Sequence, residues 1–229
     1  MISIIIPVLN ESNSIKDLIY HLIDCSTLRN ISEIIVVDGG STDGTQQIIE
    51  SLNLNIKFLH SEKGRAKQMN LGAKSAKGDI FYFLHADSFP PVNYDRLIVN
   101  EIKKSNNAGC FRMQFDSNHW WLRLASWFTK FSWRACRGGE QSQFITKTLF
   151  NEIGGYDETY NIYEDNILIN ELYKRNAFVV INEKIKTSAR LYEKQGVWKV
   201  QYHFWAIYVK RWFGASADDL FAYYSKHLN

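Results

Sequence analysis

The sequence predicts an α/β protein built on a mainly parallel, doubly wound sheet. Three observations carry that prediction. Over the first 90 residues, four short apolar runs alternate with three amphipathic segments, strand then helix. Two of the runs, Ile2 to Val8 and Ile80 to Leu84, are apolar without alternation, the pattern of strands buried on both faces. Polar residues with chemical potential then stand at run ends, Asp38 after Val37 and His85 and Asp87 after Leu84. In an open parallel sheet, ligands gather outside the carboxyl ends of the strands.

The elements follow in order. Ile2 to Val8 is the first strand. Leu9-Asn10-Glu11-Ser12 opens a helix capped by Ser12 or Asn13, with Ile15, Leu18, Ile19 and Leu22 on one face. Ile34 to Val37 is the second strand, and the second helix runs through Ile48, Ile49 and Leu52. Ile56 to Leu59, a helix over Gly64 to Ala76, and Ile80 to Leu84 complete the alternating half. Beyond it the pattern loosens. Val92 to Lys103 suits a helix and Gly109 to Phe115 a strand. His119 to Arg134 places Trp120, Leu124, Trp127, Phe128 and Phe131 at helical spacing, among Arg123, Lys130 and Arg134. Arg137 to Gln141 is a polar, flexible break. Phe144 to Thr146 is a short strand, and Leu149 to Ile153 a short helix. Ile167, Leu168, Leu172 and Tyr173 share a helical face, so Glu164 and Asp165 stand at that helix's N-terminus. Phe178 to Ile181 is a last strand, and two helices, Trp198 to Phe213 and Asp218 to Leu228, end the chain. No linker divides it, which predicts a single domain over residues 1–229, with halves 1–90 and 91–229.

The totals exclude several function classes. At 45% hydrophobic residues, the chain can build a full core and is not disordered. A net charge of +3 without a Lys/Arg run argues against nucleic acid. Three widely spaced cysteines without a CxxC pair suit reduced thiols in a cytoplasmic protein better than disulfides or zinc. No stretch approaches the ~18 apolar residues of a membrane span, and Met1 to Pro7 lacks the basic start of a signal peptide.

Three local patterns bear on chemistry. His85 and Asp87, two residues apart after a buried strand, project to one side at the ligand edge; alternatively Asp87 caps the turn that Ser88 and two prolines continue. Three glycines follow Asp38 within six residues, letting backbone amides approach a ligand, while the Asp38 carboxylate can accept from a base N–H or a ribose hydroxyl. Trp198, Tyr202, Trp205, Val209 and Trp212 recur every three or four residues beside Lys199, Lys210 and Arg211. That stripe fits a helix packed on the core, the commoner outcome, or a helix lying at a membrane surface.

The segments PVLNES (7–12), VVDGGSTDGT (36–45), GRAKQMNLGAKSAKGD (64–79), FLHADS (83–88), GGEQSQFI (138–145), IGGYDE (153–158) and YEDN (163–166) together resemble the family 2 glycosyltransferases of the GT-A fold. Within it they are similar to the small, soluble branch named for its association with radical-SAM and selenoprotein-type proteins. That branch's TSAR motif stands here as Thr187 to Arg190. The resemblance implies inverting transfer of a sugar from a nucleotide-sugar donor, of UDP or GDP type, to a hydroxyl acceptor. It implies that Pro7, Asn10 and Glu11 line the base and ribose pocket and that Asp38 bonds to the base. Arg65 and Gln68 reach toward ribose or diphosphate, His85 and Ala86 border the donor, and Asp87 ligates Mg²⁺ or Mn²⁺ as the second acid of an Asp-x-Asp motif. The first acid is His85 here, a departure from that motif; direct ligation, a ribose contact and simple packing all stay open for it. Asp165, beside Glu164, is implied as the base. Glu140, where the family more often has Asp, and Gln141 border donor sugar or acceptor, and Arg190 covers the diphosphate in a closed state. If both aromatic faces are exposed, a lipid-linked acceptor and a place at the inner membrane face follow. Two other readings stand beside this one: a nucleotide-sugar-binding protein without turnover, and a sugar-phosphate nucleotidyltransferase. The second lacks its usual glycine-rich signature after the first strand, and no GxGxxG follows any strand to suggest a dehydrogenase.

Overall fold

The computed structural model describes residues 1–138 and 141–228. Eight strands among them form one sheet. In chain order they are β1 (Ile2–Val8), β2 (Ile31–Asp38), β3 (Ile56–His60), β4 (Ile80–Phe83), β5 (Ser88–Phe89), β6 (Ala108–Phe115), β7 (Gln143–Thr146) and β8 (Val179–Thr187). Their spatial order is β3-β2-β1-β4-β7-β6-β8-β5. The first four pair in parallel, with Val8 opposite Asp38 and Ile5 opposite Phe83, so their carboxyl ends share one edge. From β7 onward the sheet is mixed. β7 runs antiparallel to β4 and β6, β8 is parallel to β6, and β5 pairs antiparallel with β8.

The unalternating apolar runs are explained by cores on both sides of the sheet. Ile2, Ile4, Ile6 and Val8 of β1, with Tyr82 of β4, meet Ile15, Leu18, Ile19 and Leu22 of α1 (Ile15–Asp24) and Tyr94 and Ile98 of α4 (Tyr94–Lys103). Ile5, Phe81 and Phe83 point the other way, onto Ala66, Met69 and Ala73 of α3 (Arg65–Ser75) and onto α6 (Lys147–Ile153) and α7 (Glu164–Lys174). α2 (Thr45–Ser51) adds Ile49 to the first core, and α5 (Trp120–Phe128) adds Leu122 to a third, smaller one. Each fully buried Ile or Leu contributes roughly 1.5–3 kcal/mol against exposure. A Cβ on Gly72 would sit 2.4 Å from Ile5 Cγ2. The absent side chain is what lets α3 lie close on β1 and present Arg65 at the sheet edge.

Several expected boundaries shift. The first helix starts at Ile15 behind Ser14, not at Ser12 or Asn13, because Ser12 N donates to Asp43 across the next loop. The helix expected to reach Arg134 ends at Phe128, where Thr129 turns its hydroxyl to accept from Met113 N at 2.8 Å. β8 runs on to Thr187, six residues past the expected end at Ile181, resuming its ladder on β6 after an irregularity between Phe111 and Arg112. Arg137, expected in a flexible break, is 2% exposed. It donates to the Phe131 carbonyl at 2.7 Å and to Gln141 Oε1 at 2.7 Å, pinning the segment after α5. Three helices follow β8: α8 (Arg190–Gln195), α9 (Val197–Trp212) and α10 (Ala217–His227). The aromatic stripe of α9 is not packed on the core. Trp198, Tyr202, Trp205, Val209 and Trp212 are 52, 63, 49, 49 and 85% exposed, while the opposite face buries Val200 and Ile207. Among the described residues, no helix is long and apolar enough to cross a membrane.

Candidate active site

The carboxyl edge of the parallel strands opens into a cleft of about 560 Å³, a size suited to a ligand of nucleotide-sugar bulk. Its floor is Pro7 to Leu9 at the end of β1 and His85, Ala86 and Asp87 after β4. One wall is the start of α3, where Gly64, Arg65 and Gln68 stand. The other wall is Arg190 and Tyr192 of α8 with Phe204 of α9 and Tyr224 of α10. The α3 N-terminus directs amide donors and a positive dipole end at this space, a favourable setting for phosphate.

A charge network closes over the cleft. Arg190 makes a two-pronged ion pair with Glu11, at 2.8 Å between Nη1 and Oε2, its other prong joining Nη2 to Oε1. Its Nε also lies 3.5 Å from Asp87 Oδ2. Burial raises the Asp87 carboxyl above its ordinary pKa, Arg190 opposing and Glu11 adding to the rise. On the α3 side, Arg65 Nε approaches Glu164 Oε1 at 3.1 Å and its Nη1 lies 3.8 Å from Asp165 Oδ2. Both acids begin α7, in its first turn. Arg65 therefore joins the cleft to the Glu164-Asp165 pair.

A second, small cavity of about 10 Å³ lies between these groups, lined by His85, Ser142, Gln143, Tyr156 and Asp165 among others. Its polar lining is under-used. Both side-chain polar atoms of Gln143 and the Tyr156 hydroxyl are buried with no hydrogen-bond partner among the described residues. Burial and the neighbouring Asp165 and Glu164 charges push the Tyr156 hydroxyl well above its ordinary pKa. An orphaned buried group costs about 1–3 kcal/mol, so three such atoms around one cavity call for a polar occupant. The cavity is the size of a single water or hydroxyl.

The structure brings Pro7, Glu11, Arg65, Gln68, His85, Ala86, Asp87 and Arg190 to the cleft, and Asp165 to the adjoining cavity beside His85. Three others make contacts within the protein in this structure. Asp38 is 0% exposed, and its carboxylate accepts from Gly40 N, Ser41 N, Ser41 Oγ and Gln46 Nε2. Two backbone amides and two side chains of its own loop thus engage both carboxylate oxygens. Asn10 is exposed, away from the cleft lining, and its Oδ1 accepts from Thr42 N at 2.9 Å, tying the β1 loop to the β2 loop. Gln141 lines neither cavity; it is 3% exposed and bonded to Arg137 and the Cys136 carbonyl. Gln68 lines the cleft, but its amide nitrogen is held by the Val8 and Val37 carbonyls, making it a brace between strand ends. Glu164 lies beneath Arg65, 1% exposed. Glu140 lies outside the described residues. Gln143 and Tyr156 were not picked out from sequence, because Gln on a short strand and Tyr after two glycines carry no signal until burial without partners is seen.

A divalent ion fits Asp87 on the chemistry of its donors. The carboxylate is 17% exposed and faces the cleft. Among the described residues no three His, Cys, Asp or Glu side chains gather to hold an ion by themselves. A site of one carboxylate completed by phosphate oxygens and water is the usual pattern for Mg²⁺ or Mn²⁺.

Solved structures share the fold. The chain superposes on the Staphylococcus aureus TarS fragment 1-349 in complex with UDP with a TM-score of 0.65 at 19% identity, covering 82% of this chain and 60% of that one. It superposes on GalNAc-T7 with UDP, GalNAc and Mn²⁺ at 0.66 and 16% identity, covering 82% and 44%. These are GT-A glycosyltransferases, and at such identities they establish the fold alone. Among sequence relatives, the undecaprenyl-phosphate 4-deoxy-4-formamido-L-arabinose transferase of Proteus mirabilis is 27% identical over 191 residues, 79% of this chain and 54% of that protein. An uncharacterised glycosyltransferase of Rickettsia bellii is 29% identical over 220 residues, 89% and 31%. The chain thus spans about half, or less, of the length of these curated relatives. Residues 3–178 match the family model described as glycosyl transferase family 2, and a match over that much of the chain places this protein in glycosyl transferase family 2.

Proposed function

We propose that this chain transfers a glycosyl group from a nucleoside diphosphate sugar, of UDP or GDP type, to a hydroxyl acceptor with inversion. The observation that carries the reading is the joining of one cleft, walled by Glu11, Asp87 and Arg190, to the Asp165 carboxylate through Arg65. The first half of the chain, 1–90, would hold the nucleotide, and the second, 91–229, the sugar and acceptor. The diphosphate would lie between the α3 N-terminus and Arg190, which releases Glu11 to pair with it. Asp87 would hold Mg²⁺ or Mn²⁺, which when bound offsets the charge of the departing diphosphate. Asp165 would take the acceptor proton as that oxygen bonds to the anomeric carbon and the bond to the diphosphate breaks, its electron pair leaving with the phosphate oxygen. Arg65, 3.8 Å from Asp165 Oδ2, would keep that carboxylate aimed. Gln143 and Tyr156 would bond a sugar hydroxyl in the small cavity, relieving their unpaired state.

TarS has been solved with UDP-GlcNAc, and the Proteus mirabilis relative is named for transfer to undecaprenyl-phosphate. Those descriptions support a nucleotide-sugar donor here and a lipid-linked acceptor as the first acceptor class to try. The test is calorimetry with UDP- and GDP-sugars, with and without Mn²⁺, followed by donor turnover. Binding of one donor class with slow hydrolysis, lost in Asp165→Ala and Asp87→Ala, is the expected result. Tight binding without turnover under any acceptor would favour the binding-protein reading, which His85 in place of the first acid also allows. No binding of either donor class would overturn the proposal.

A further inference from the structure

The aromatic faces of α5 and α9 are exposed in a manner the core does not require. α5 turns Leu122, Ser126 and its cap Thr129 inward, all 8% exposed or less. Two of these inward groups are hydroxyls, accepting from the Phe115 and Met113 amides of β6. Its outward face is Trp120, Leu124, Trp127 and Phe128, at 60, 37, 45 and 39% exposure. The outward face is thus mainly apolar, where a solvent-facing helix surface is ordinarily polar. On α9 the outward stripe falls at positions 198, 202, 205, 209 and 212, a single face running roughly 20 Å. The two faces meet: Trp198 lies 5.7 Å from Trp120 and 5.5 Å from Trp121, and Trp205 lies 5.8 Å from Trp121. Six of the seven tryptophans are exposed, all on or next to these two helices. Exposed apolar surface of this extent marks an interaction site.

Charge identifies the partner. Neither α5 nor α9 contains a single Asp or Glu, although the chain has 24. They carry Arg123, Lys199, Lys210 and Arg211, and Lys130 Nζ sits 3.8 Å over the Trp127 ring just past α5. Exposed indoles interleaved with cations and free of carboxylates match a surface with an apolar interior and an anionic boundary. The same helix α9 lines the cleft with Phe204, one residue from exposed Trp205. We propose that the joined faces of α5 and α9 dock on an anionic phospholipid bilayer, holding the mouth of the cleft at the headgroup level. This surface does not depend on the reaction proposed above, and donor hydrolysis without acceptor reports on that reaction alone.

Flotation of the full chain with phosphatidylglycerol/phosphatidylcholine vesicles, beside pure phosphatidylcholine vesicles, tests the surface. The chain should float with the anionic vesicles, shift its tryptophan emission to the blue, and bind less as salt rises. Tyr202→Glu/Trp212→Glu, at the two most exposed positions of the stripe, should abolish flotation with an unchanged melting temperature. Arg123→Glu/Lys199→Glu/Lys210→Glu, which leaves every aromatic in place, should weaken anionic-vesicle binding by at least about tenfold. A chain that stays at the bottom of both gradients overturns the proposal. So does equal flotation on both lipids that the charge reversals leave unchanged. A concentration-dependent dimer that Trp212→Glu dissolves, without flotation, assigns the face to a second copy and also overturns it.

Discussion

Asp38→Asn separates two readings of one carboxylate. Sequence pattern points it at a nucleotide base, whereas the structure spends it on its own loop. Its oxygens accept from Gly40 N at 3.0 Å, Ser41 N at 3.1 Å, Ser41 Oγ at 2.5 Å and Gln46 Nε2 at 2.8 Å. A hydrogen bond to a charged acceptor contributes about 1.5–3 kcal/mol, and bonds sharing one acceptor do not add in full. The Ser41 and Gln46 side chains are only half-buried and can turn to water, so the two backbone amides dominate. Asp38→Ala should therefore cost about 3–4 kcal/mol, and Asp38→Asn, which keeps one acceptor oxygen, about half of that. For a chain of this length the alanine variant should melt roughly 8–14 °C lower.

The pH dependence gives a second, independent sign. Burial alone would raise the Asp38 pKa, but the bonds from Ser41, Gly40 and Gln46 outweigh it and hold the folded value below the ordinary one. A depressed folded pKa means stability present above the unfolded value, about pH 3.9, and lost as pH falls through the folded value. The melting-temperature gap between wild type and Asp38→Asn should therefore be full at pH 6 and narrow below about pH 4. Asp95 is held low in the same way by Thr27 and Asn30, despite its own burial, so the acid limb flattens only in part. Thermal melts from pH 7 to 3, paired with nucleotide titration at pH 7, would decide it. Unchanged melting at pH 7 together with lost nucleotide affinity would refute the loop assignment.

Other perturbations probe the remaining parts. Gln143→Leu removes two orphaned buried atoms, so it should hold or raise stability by about 1–3 kcal/mol while lowering turnover or changing sugar preference in a donor panel. Arg190→Ala breaks a half-exposed pair and should change stability by less than about 1 kcal/mol. It should nonetheless weaken nucleoside diphosphate binding about tenfold, read by calorimetry, with nucleoside binding untouched. Gly109→Ala drives a Cβ to 2.3 Å from the Val179 carbonyl oxygen and 2.8 Å from Phe144. The β6-β8 ladder must part to admit it, and the melting temperature should fall by roughly 5–10 °C.

The cleft floor was legible because it is made where local pattern is strongest. Ile2 to Val8 and Ile80 to Leu84 admit one structural solution, and the residues at their ends must then share an edge. Arg65 and the Glu164-Asp165 pair were legible as charged residues at helix starts, though not that Arg65 would bridge to both acids. For Asp38 the pattern does not separate two roles, because a carboxylate before Gly-Gly-Ser has the same appearance whether it closes a turn or meets a ligand. Only the count of filled acceptor positions distinguishes the two.

Of the opposite wall only Arg190 was indicated, through the family resemblance, and the reason the rest was not legible lies in how it is positioned. Arg190 reaches Glu11, 179 residues earlier, only because β8 continues to Thr187 and pairs there with Ser88 of β5. Ser188 N then donates to the Asp87 carbonyl at 3.2 Å, so the chain enters α8 directly over the metal-suited carboxylate. The extension of β8 carries exposed Asn182, Glu183 and Lys184, which no alternation rule assigns to a strand. Periodicity likewise placed the α9 aromatics on one face without saying what covers it. A helical stripe fixes direction relative to its own axis; which side meets the sheet depends on β6, β8 and α5, all distant in sequence. The floor thus follows from patterns within about ten residues, and the wall from pairings across most of the chain. Perturbing β5-β8 pairing, far from any ligand, should loosen Arg190 and the aromatic face together.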